Sequence, residues 1–363
     1  MYSRLATIWP RKNYASDTTE IIDININDPI SQIIVTYEPD NNPSGAHATA
    51  HPAKCVEKIE IVDGSEVLYS LSGQEAQAVD FYNNNAQPLN VMCYLNGMTS
   101  EMIFTINFGR YLFDEIYALD PRKFRNLQLK ITLDIDAGGD ESNDGYLTVL
   151  AQIFDSKNIS PIGFLMHKRI KQYTLADSAH EYTDLPTDYP YKGLFLMAQR
   201  YGTGPEYQID NVKLTEDNDR KIPLNHSMFQ VLRNIASQWK AWEEWILVHS
   251  STTVQYFYNT PGYWPNFAYV PWRSASLALA GVCYGGDGGR FQYDAGSDGP
   301  NASIICLGWA PHSVVPLLPR FRDDPETWYD VSQLGSLRLD VTAASSVGTA
   351  QTAEIIAQQL KNY

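Results

Sequence analysis

The chain has 363 residues, more than the ~250–300 over which a single hydrophobic core usually stops growing, so two domains are the first expectation. With 44 % hydrophobic and 19 % charged residues it can bury sizeable cores, which excludes a disordered polymer. A net charge of −15 repels phosphate and excludes a protein that wraps nucleic acid directly.

Residues 1–19 read as an extended arm whose basic cluster, Arg4, Arg11 and Lys12, is a solvated end or a contact for an anionic surface. No apolar stretch of signal-peptide type occurs there, and no run reaches the ~18 apolar residues that span a bilayer. IIDININ (21–27) alternates with period two and predicts a half-buried strand, followed by a strand at 32–39. CVEKIEIVDGSEVLYSL (55–71) predicts a hairpin turning at Asp63-Gly64. Ser72, with Glu75 three residues on, predicts a capping box and a short helix that ends at Asn83–Asn85. Strands follow at 102–109, 126–136 and 146–155. The last two are joined by an acidic, Gly-rich turn.

The second half starts near Pro161, with strands at 163–175 and 191–201 and a hairpin at 206–224. Asn225 and Ser227 cap a helix read as running through SMFQVLRNIASQWKAWEEWIL. A long aromatic and Gly-rich stretch (250–300) precedes strands at 303–311 and 336–344. AQTAEIIAQQLKN (350–362) reads as an amphipathic helix with Ala353, Ile356 and Leu360 on one face. Cys55, Cys93, Cys283 and Cys306 form no C-x-x-C pair and read as free buried thiols of a protein made in a reducing cytoplasm.

The halves repeat an order of events: hairpin, capped helix, apolar strand, a loop holding Asp-Pro and an aromatic (Asp120-Pro121-Phe124; Asp324-Pro325-Trp328), then an alternating strand (LQLKITLD; LRLDVTA). Ile59 and Val212 in the hairpins are 153 residues apart, whereas Leu127 and Leu337 in the late strands are 210 apart. The surplus of 57 falls on the aromatic stretch. Evenly spaced strands with Pro, Gly and Asp turns pack as two facing sheets, and eight of them in two Greek keys make a jelly roll. The expected fold is therefore all-β, with two tandem jelly-roll sandwiches, short helices and a long loop insertion in the second. The divisions are an arm at 1–19, a first roll at 20–158, a second at 159–348 with its insertion at about 250–300, and a C-terminal helix at 349–363.

On the hairpin–helix unit (55–85 and 206–247) and the F-G-R…D-P…L-x-L-x-I/V segment (108–136, echoed at 309–341), the chain resembles the double jelly-roll major capsid proteins of the adenovirus-hexon lineage, as in tailless, membrane-containing bacterial and archaeal viruses. The resemblance covers nearly the whole chain and is architectural. It implies a structural, non-enzymatic protein of an icosahedral virion, trimeric pseudo-hexagonal capsomers, and an insertion pointing outward as a tower. The implied partners are the homotrimer itself, neighbouring capsomers, minor capsid or penton proteins, and an inner viral membrane near the termini.

Catalytic patterns are missing from the sequence: no G-x-S-x-G, P-loop or H-E-x-x-H occurs, and no cofactor is expected. Glu243 and Glu244 are adjacent, so on a helix they diverge. His47 and His51 lie in a loop without further ligand spacing. Asp136, Asp140 and Asp144 in the acidic turn are a candidate cation cluster, for which a solvated turn is the competing reading. Trp239, Trp242 and Trp245, three apart, read as a packing stripe on the second helix. Tyr256, Tyr258, Tyr263, Trp264 and Trp272 are interface candidates, since Tyr and Trp are enriched in protein interfaces. The alternative for the aromatic run is a carbohydrate-binding or glycoside-cleaving jelly roll, with Trp264 or Trp272 stacking on a sugar.

Overall fold

A computed structural model describes residues 2–40, 48–95, 97–138, 144–155, 159–249, 254–271, 282–294, 301–321 and 323–363. The first half holds β1 (Ser3–Tyr14), β2 (Thr18–Asp23), β3 (Ile30–Pro39), β4 (Val56–Asp63), β5 (Glu66–Leu71), α1 (Gly73–Asn84), β6 (Met92–Tyr94), β7 (Met102–Asn107), β8 (Leu127–Leu133) and β9 (Gly145–Phe154). The second opens with β10 (Gly163–Thr174), β11 (His180–Asp184), β12 (Tyr191–Met197), β13 (Ile209–Glu216), β14 (Lys221–Ser227) and α2 (Met228–Gln238). An inserted block follows: β15 (Trp242–Val248), β16 (Val254–Tyr258), β17 (Pro261–Pro271), β18 (Val282–Gly285), β19 (Arg290–Asp294) and β20 (Ala302–Pro311). The half closes with β21 (Val314–Pro316), β22 (Leu337–Ala343) and β23 (Thr352–Asn362).

With β6 and the inserted block set aside, each half has the same eight strands in the same order. The sheets β1-β9-β3-β7 and β10-β23-β12-β21 correspond, as do β2-β8-β4-β5 and β11-β22-β13-β14. Their alternation carries the sandwich: β8 and β22 both turn Leu, Leu and Ile or Val inward and polar residues outward. The local devices repeat too. Ser72 with Glu75 and Ser227 with Gln230 each close a capping box. Asp120 and Asp324 each accept the backbone N–H two residues on and start a 3₁₀ turn at the following proline. Between the halves β5 runs parallel to β10, with His167 opposite Tyr69 and Lys168 opposite Ser70. The two sheets thereby merge into one of eight strands, β2-β8-β4-β5-β10-β23-β12-β21.

Three expectations are corrected. Residues 1–19 are not a free arm: β1 pairs along its length with β9 and is a strand of the first sandwich. The C-terminal segment is not a helix. Its Ala, Gln, Glu and Leu favour helix, but β23 is placed between β10 and β12, where both backbone edges find partners and both faces are buried. The second helix stops at Gln238, and Trp239 caps it with extended backbone. Trp242 and Trp245 then lie on β15, where a spacing of three puts them on opposite faces, so the three tryptophans form no stripe.

The inserted block folds into two small sheets, β17-β20-β15-β6 and β16-β19-β18, the first completed by β6 from the other half. They face each other through Phe267 on Phe291, ring centroids 5.0 Å apart, and Tyr269 on Tyr293, 6.5 Å apart. This small sandwich, called the tower, is inserted between α2 and β21 of the second half and borrows β6 from the first.

Candidate assembly interface

β15 reads W-E-E-W-I-L-V, and in a strand alternate residues part company. Trp242, Glu244, Ile246 and Val248 are buried, while Glu243 and Trp245 are exposed. In register with Trp245 stand Ile305 of β20 and Ala268 of β17; the rows on either side carry Glu243, Leu307 and Asn266, and Leu247, Ser303 and Val270. The outer face of β15, β20 and β17 therefore has an apolar centre, with Trp245 62 % and Val270 63 % exposed, edged by Glu243, Asn266 and Ser303. Single exposed apolar residues are ordinary, but a contiguous patch marks an interaction surface. Sequence reasoning missed this face, although the period-two pattern of β15 held the signal.

The aromatic candidates do not converge on one site. Tyr258 and Tyr263 are buried. Tyr258 accepts a 2.7 Å hydrogen bond at its carbonyl from the Tyr94 hydroxyl, and its ring meets Tyr201 edge-on at 4.5 Å. Tyr263 stacks on Trp264, centroids 5.9 Å apart, and that indole is 61 % exposed on a residue with φ of 48°. A non-glycine residue in the left-handed region is costly, and here it falls where the β17–β20 register shifts, between Tyr263 and Asn266. Tyr256 is exposed on the other sheet, in one row with Gln292 and Tyr284, with the Arg290 guanidinium 4.5 Å above its ring. Trp272 lies outside the described residues, as does Asp140 of the proposed cation cluster. Asp136 is exposed, and the Asp144 carboxylate accepts from Asn13 at 2.7 Å. Among the described residues no group of three or more His, Cys, Asp or Glu could hold a metal ion.

A buried polar network ties the tower to the first jelly roll. The His51 Nδ1 accepts the Ala53 N–H at 3.1 Å, which leaves Nε2 as the donor to the Thr260 hydroxyl at 3.0 Å. Thr260 in turn donates its hydroxyl and its N–H, each at 2.6 Å, to Glu244, which also accepts the Trp242 indole N–H at 3.0 Å. His312, edge-on to His51 at 4.7 Å, is held by Gln74 and Gln77 of α1. Burial pushes His51 down to about 3 and holds His312 well below its ordinary value, so both rings are neutral. Glu244 is raised by burial, against the stabilising hydrogen bonds from Thr260 and Trp242. The site is closed and every ring nitrogen is occupied, so its chemistry is that of a joint.

No family model matches the chain, and no curated protein matches its sequence. Solved structures do match over the whole length. The MCP of STIV, the Sulfolobus Turreted Icosahedral Virus, is 12 % identical with a TM-score of 0.58, covering 99 % of this chain and 96 % of that one. The major capsid protein P2 of bacteriophage PM2 is 12 % identical with a TM-score of 0.53, covering 99 % and 98 %. The PBCV-1 virus capsid structure is 10 % identical with a TM-score of 0.57, covering 99 % and 93 %. Together with the repeated strand order, these matches establish that the chain has the double jelly-roll fold of viral major capsid proteins.

Proposed function

We propose that the chain is the major capsid protein of an icosahedral virion and works as a trimeric, pseudo-hexagonal shell tile. The observation that carries this reading is the duplication. Two sandwiches of identical strand order, fused side by side through β5 and β10, give each protomer two near-equivalent corners, and three such protomers make six. The exposed Trp245, Leu307 and Val270 on the outer face of the tower sheet fit an assembling protein. Whole-chain likeness to capsid structures points the same way. In this reading the first partners are two further copies and then neighbouring capsomers. Minor or penton proteins and an inner membrane lie at the vertices and the inner side of the shell, and the protein's place is the virion.

Light scattering and negative-stain imaging of the purified protein test it. Trimers with six-cornered outlines are expected; a monodisperse monomer at high concentration and at every salt would overturn the reading.

A further inference from the structure

The seam inside the chain is a complete interface. β5 and β10 pair over two residues, and the Tyr69 and His167 rings meet at 5.5 Å. Over this seam lies α1, whose residues from Gly73 to Tyr82 are all buried, because the helix is covered by its own roll on one side and by the second roll on the other. Arg169 of β10 grips Glu75 with bonds of 2.7 and 2.9 Å, and Tyr82 stacks on Phe195 of β12 at 5.7 Å.

The duplication supplies the counterpart of each of these residues. In the hairpins, Ile61 opposite Tyr69 corresponds to Leu214 opposite Leu224, so Tyr69 and Ser70 match Leu224 and Asn225. Both third strands bulge at one place: Ile30 and Gln32 sit against Ile153 and Gln152, as Tyr191 and Gly193 sit against Gln359 and Gln358. Gln152 therefore matches Gln358, and their partners Leu5 and His167 match in turn, followed by Ala6 and Lys168. Among the described residues, the outer edges of β1 and β14 have no strand partner. Leu5 is 53 % exposed and Leu224 half-buried. Phe229, Gln230 and Arg233 of α2 are exposed, where their α1 counterparts Gln74, Glu75 and Ala78 are buried.

We propose that a second copy of this chain closes those open edges by repeating the internal seam. β1 of one copy lies parallel to β14 of the next, with Leu5 opposite Leu224 and Ala6 opposite Asn225, and its β1-β9-β3 sheet covers the open face of α2. The inference rests on the shell-tile reading and names the surfaces that tile uses. Each copy offers one β14 and receives on one β1, a heterologous contact that closes into a ring when the rotation permits. Three internal and three intermolecular seams make six rolls. The four paired seam residues are uncharged, and the charged groups at their margin are cationic, Arg4 beside Leu5 and Arg233 on α2, so copies of net charge −15 meet away from their carboxylates. Pro10 and Pro223 keep the pairing short, like the two-residue internal seam, and blunt both edges against indefinite strand addition.

The test is a full-length double variant, Leu5→Cys with Leu224→Cys, oxidised mildly and run on non-reducing gels beside each single variant. Neighbouring strands at this spacing allow a disulfide. Covalent dimers and trimers are expected from the double variant alone. In parallel, Leu5→Glu with Leu224→Glu places like charges across the seam and should weaken trimer association at least about tenfold by light scattering. Leu5 is exposed and Leu224 half-buried, so circular dichroism and a urea midpoint are taken on each variant to show that the fold is kept before association is compared. A wild-type trimer that neither cross-links through the paired cysteines nor responds to the paired glutamates overturns this seam and leaves the tile reading standing. A wild-type protein that never associates overturns both.

Discussion

Arg169 serves two carboxylates, and it can neutralise only one. It binds Glu75 of α1 in a bidentate pair and stands 3.5 Å from Glu354 of β23. Burial first, and the neighbouring Glu75 second, push Glu354 up to about 8, against the pull of Arg169, so it holds its proton at neutral pH. The sign follows from linkage. A carboxyl whose folded value lies above the ordinary 4.5 binds more protons folded than unfolded, so its contribution is present at low pH and lost as pH rises from 4.5 through about 8. Glu354→Gln removes this titration while keeping shape and hydrogen-bonding capacity. Urea unfolding at fixed protein concentration should show the wild type losing up to about 1.4 kcal/mol per pH unit relative to the variant across that window. Parallel stability curves from pH 5 to 8 would show that Glu354 is charged in the fold.

Among the elements, those with a strict local signature were legible in the sequence and those decided by their neighbours were not. β8 and β22 alternate, the Asp63-Gly64 turn places Gly64 at φ 59°, the capping box forms at Ser72 with Glu75, and of the two caps read for the second helix Ser227 is the one that forms. β23 and β15 were hidden because their residues tolerate helix, and only a slot between two strands selects the extended form. The aromatic interface candidates were half legible. An aromatic-rich run announces packing, but which ring faces outward depends on the register of β16, β17 and β20 with partners far along the chain. β15 allows a direct check. Trp242 is fully buried against Phe81 at 5.3 Å, and Trp245 is on the open face. Trp242→Ala should cost about 3–5 kcal/mol of protomer stability, and Trp245→Ala within about 0.5. Equal losses in thermal melts would return the two tryptophans to one helical face.

For the whole molecule, the duplication was readable because the offset between matched residues varies by less than ten before the tower, 162 for Leu5 and His167 against 153 for Ile59 and Val212, and jumps to 204 for Asp120 and Asp324 after it. What no local pattern encoded is the merging of two sheets through β5 and β10, a contact between strands about a hundred residues apart. That merged sheet makes the protomer one body, and the two sheets outside it leave the edges of β1 and β14 open, the edges that the proposed seam closes. Stability should then depend on protein concentration. For three chains folding into one trimer, a hundredfold dilution removes about two-thirds of RT ln 100 per chain, roughly 1.8 kcal/mol. At the usual unfolding entropy per residue, that lowers the melting temperature of a chain this long by about 2 °C. Salt should act in the same direction as concentration: raising it from about 0.05 M to 0.5 M screens the repulsion between like-charged copies, favours the trimer and raises the melting temperature. A melting temperature that ignores both dilution and salt would mean that Trp245 and its exposed apolar neighbours and the edges of β1 and β14 are covered by nothing in solution, and the protomer would have to be regarded as complete in itself.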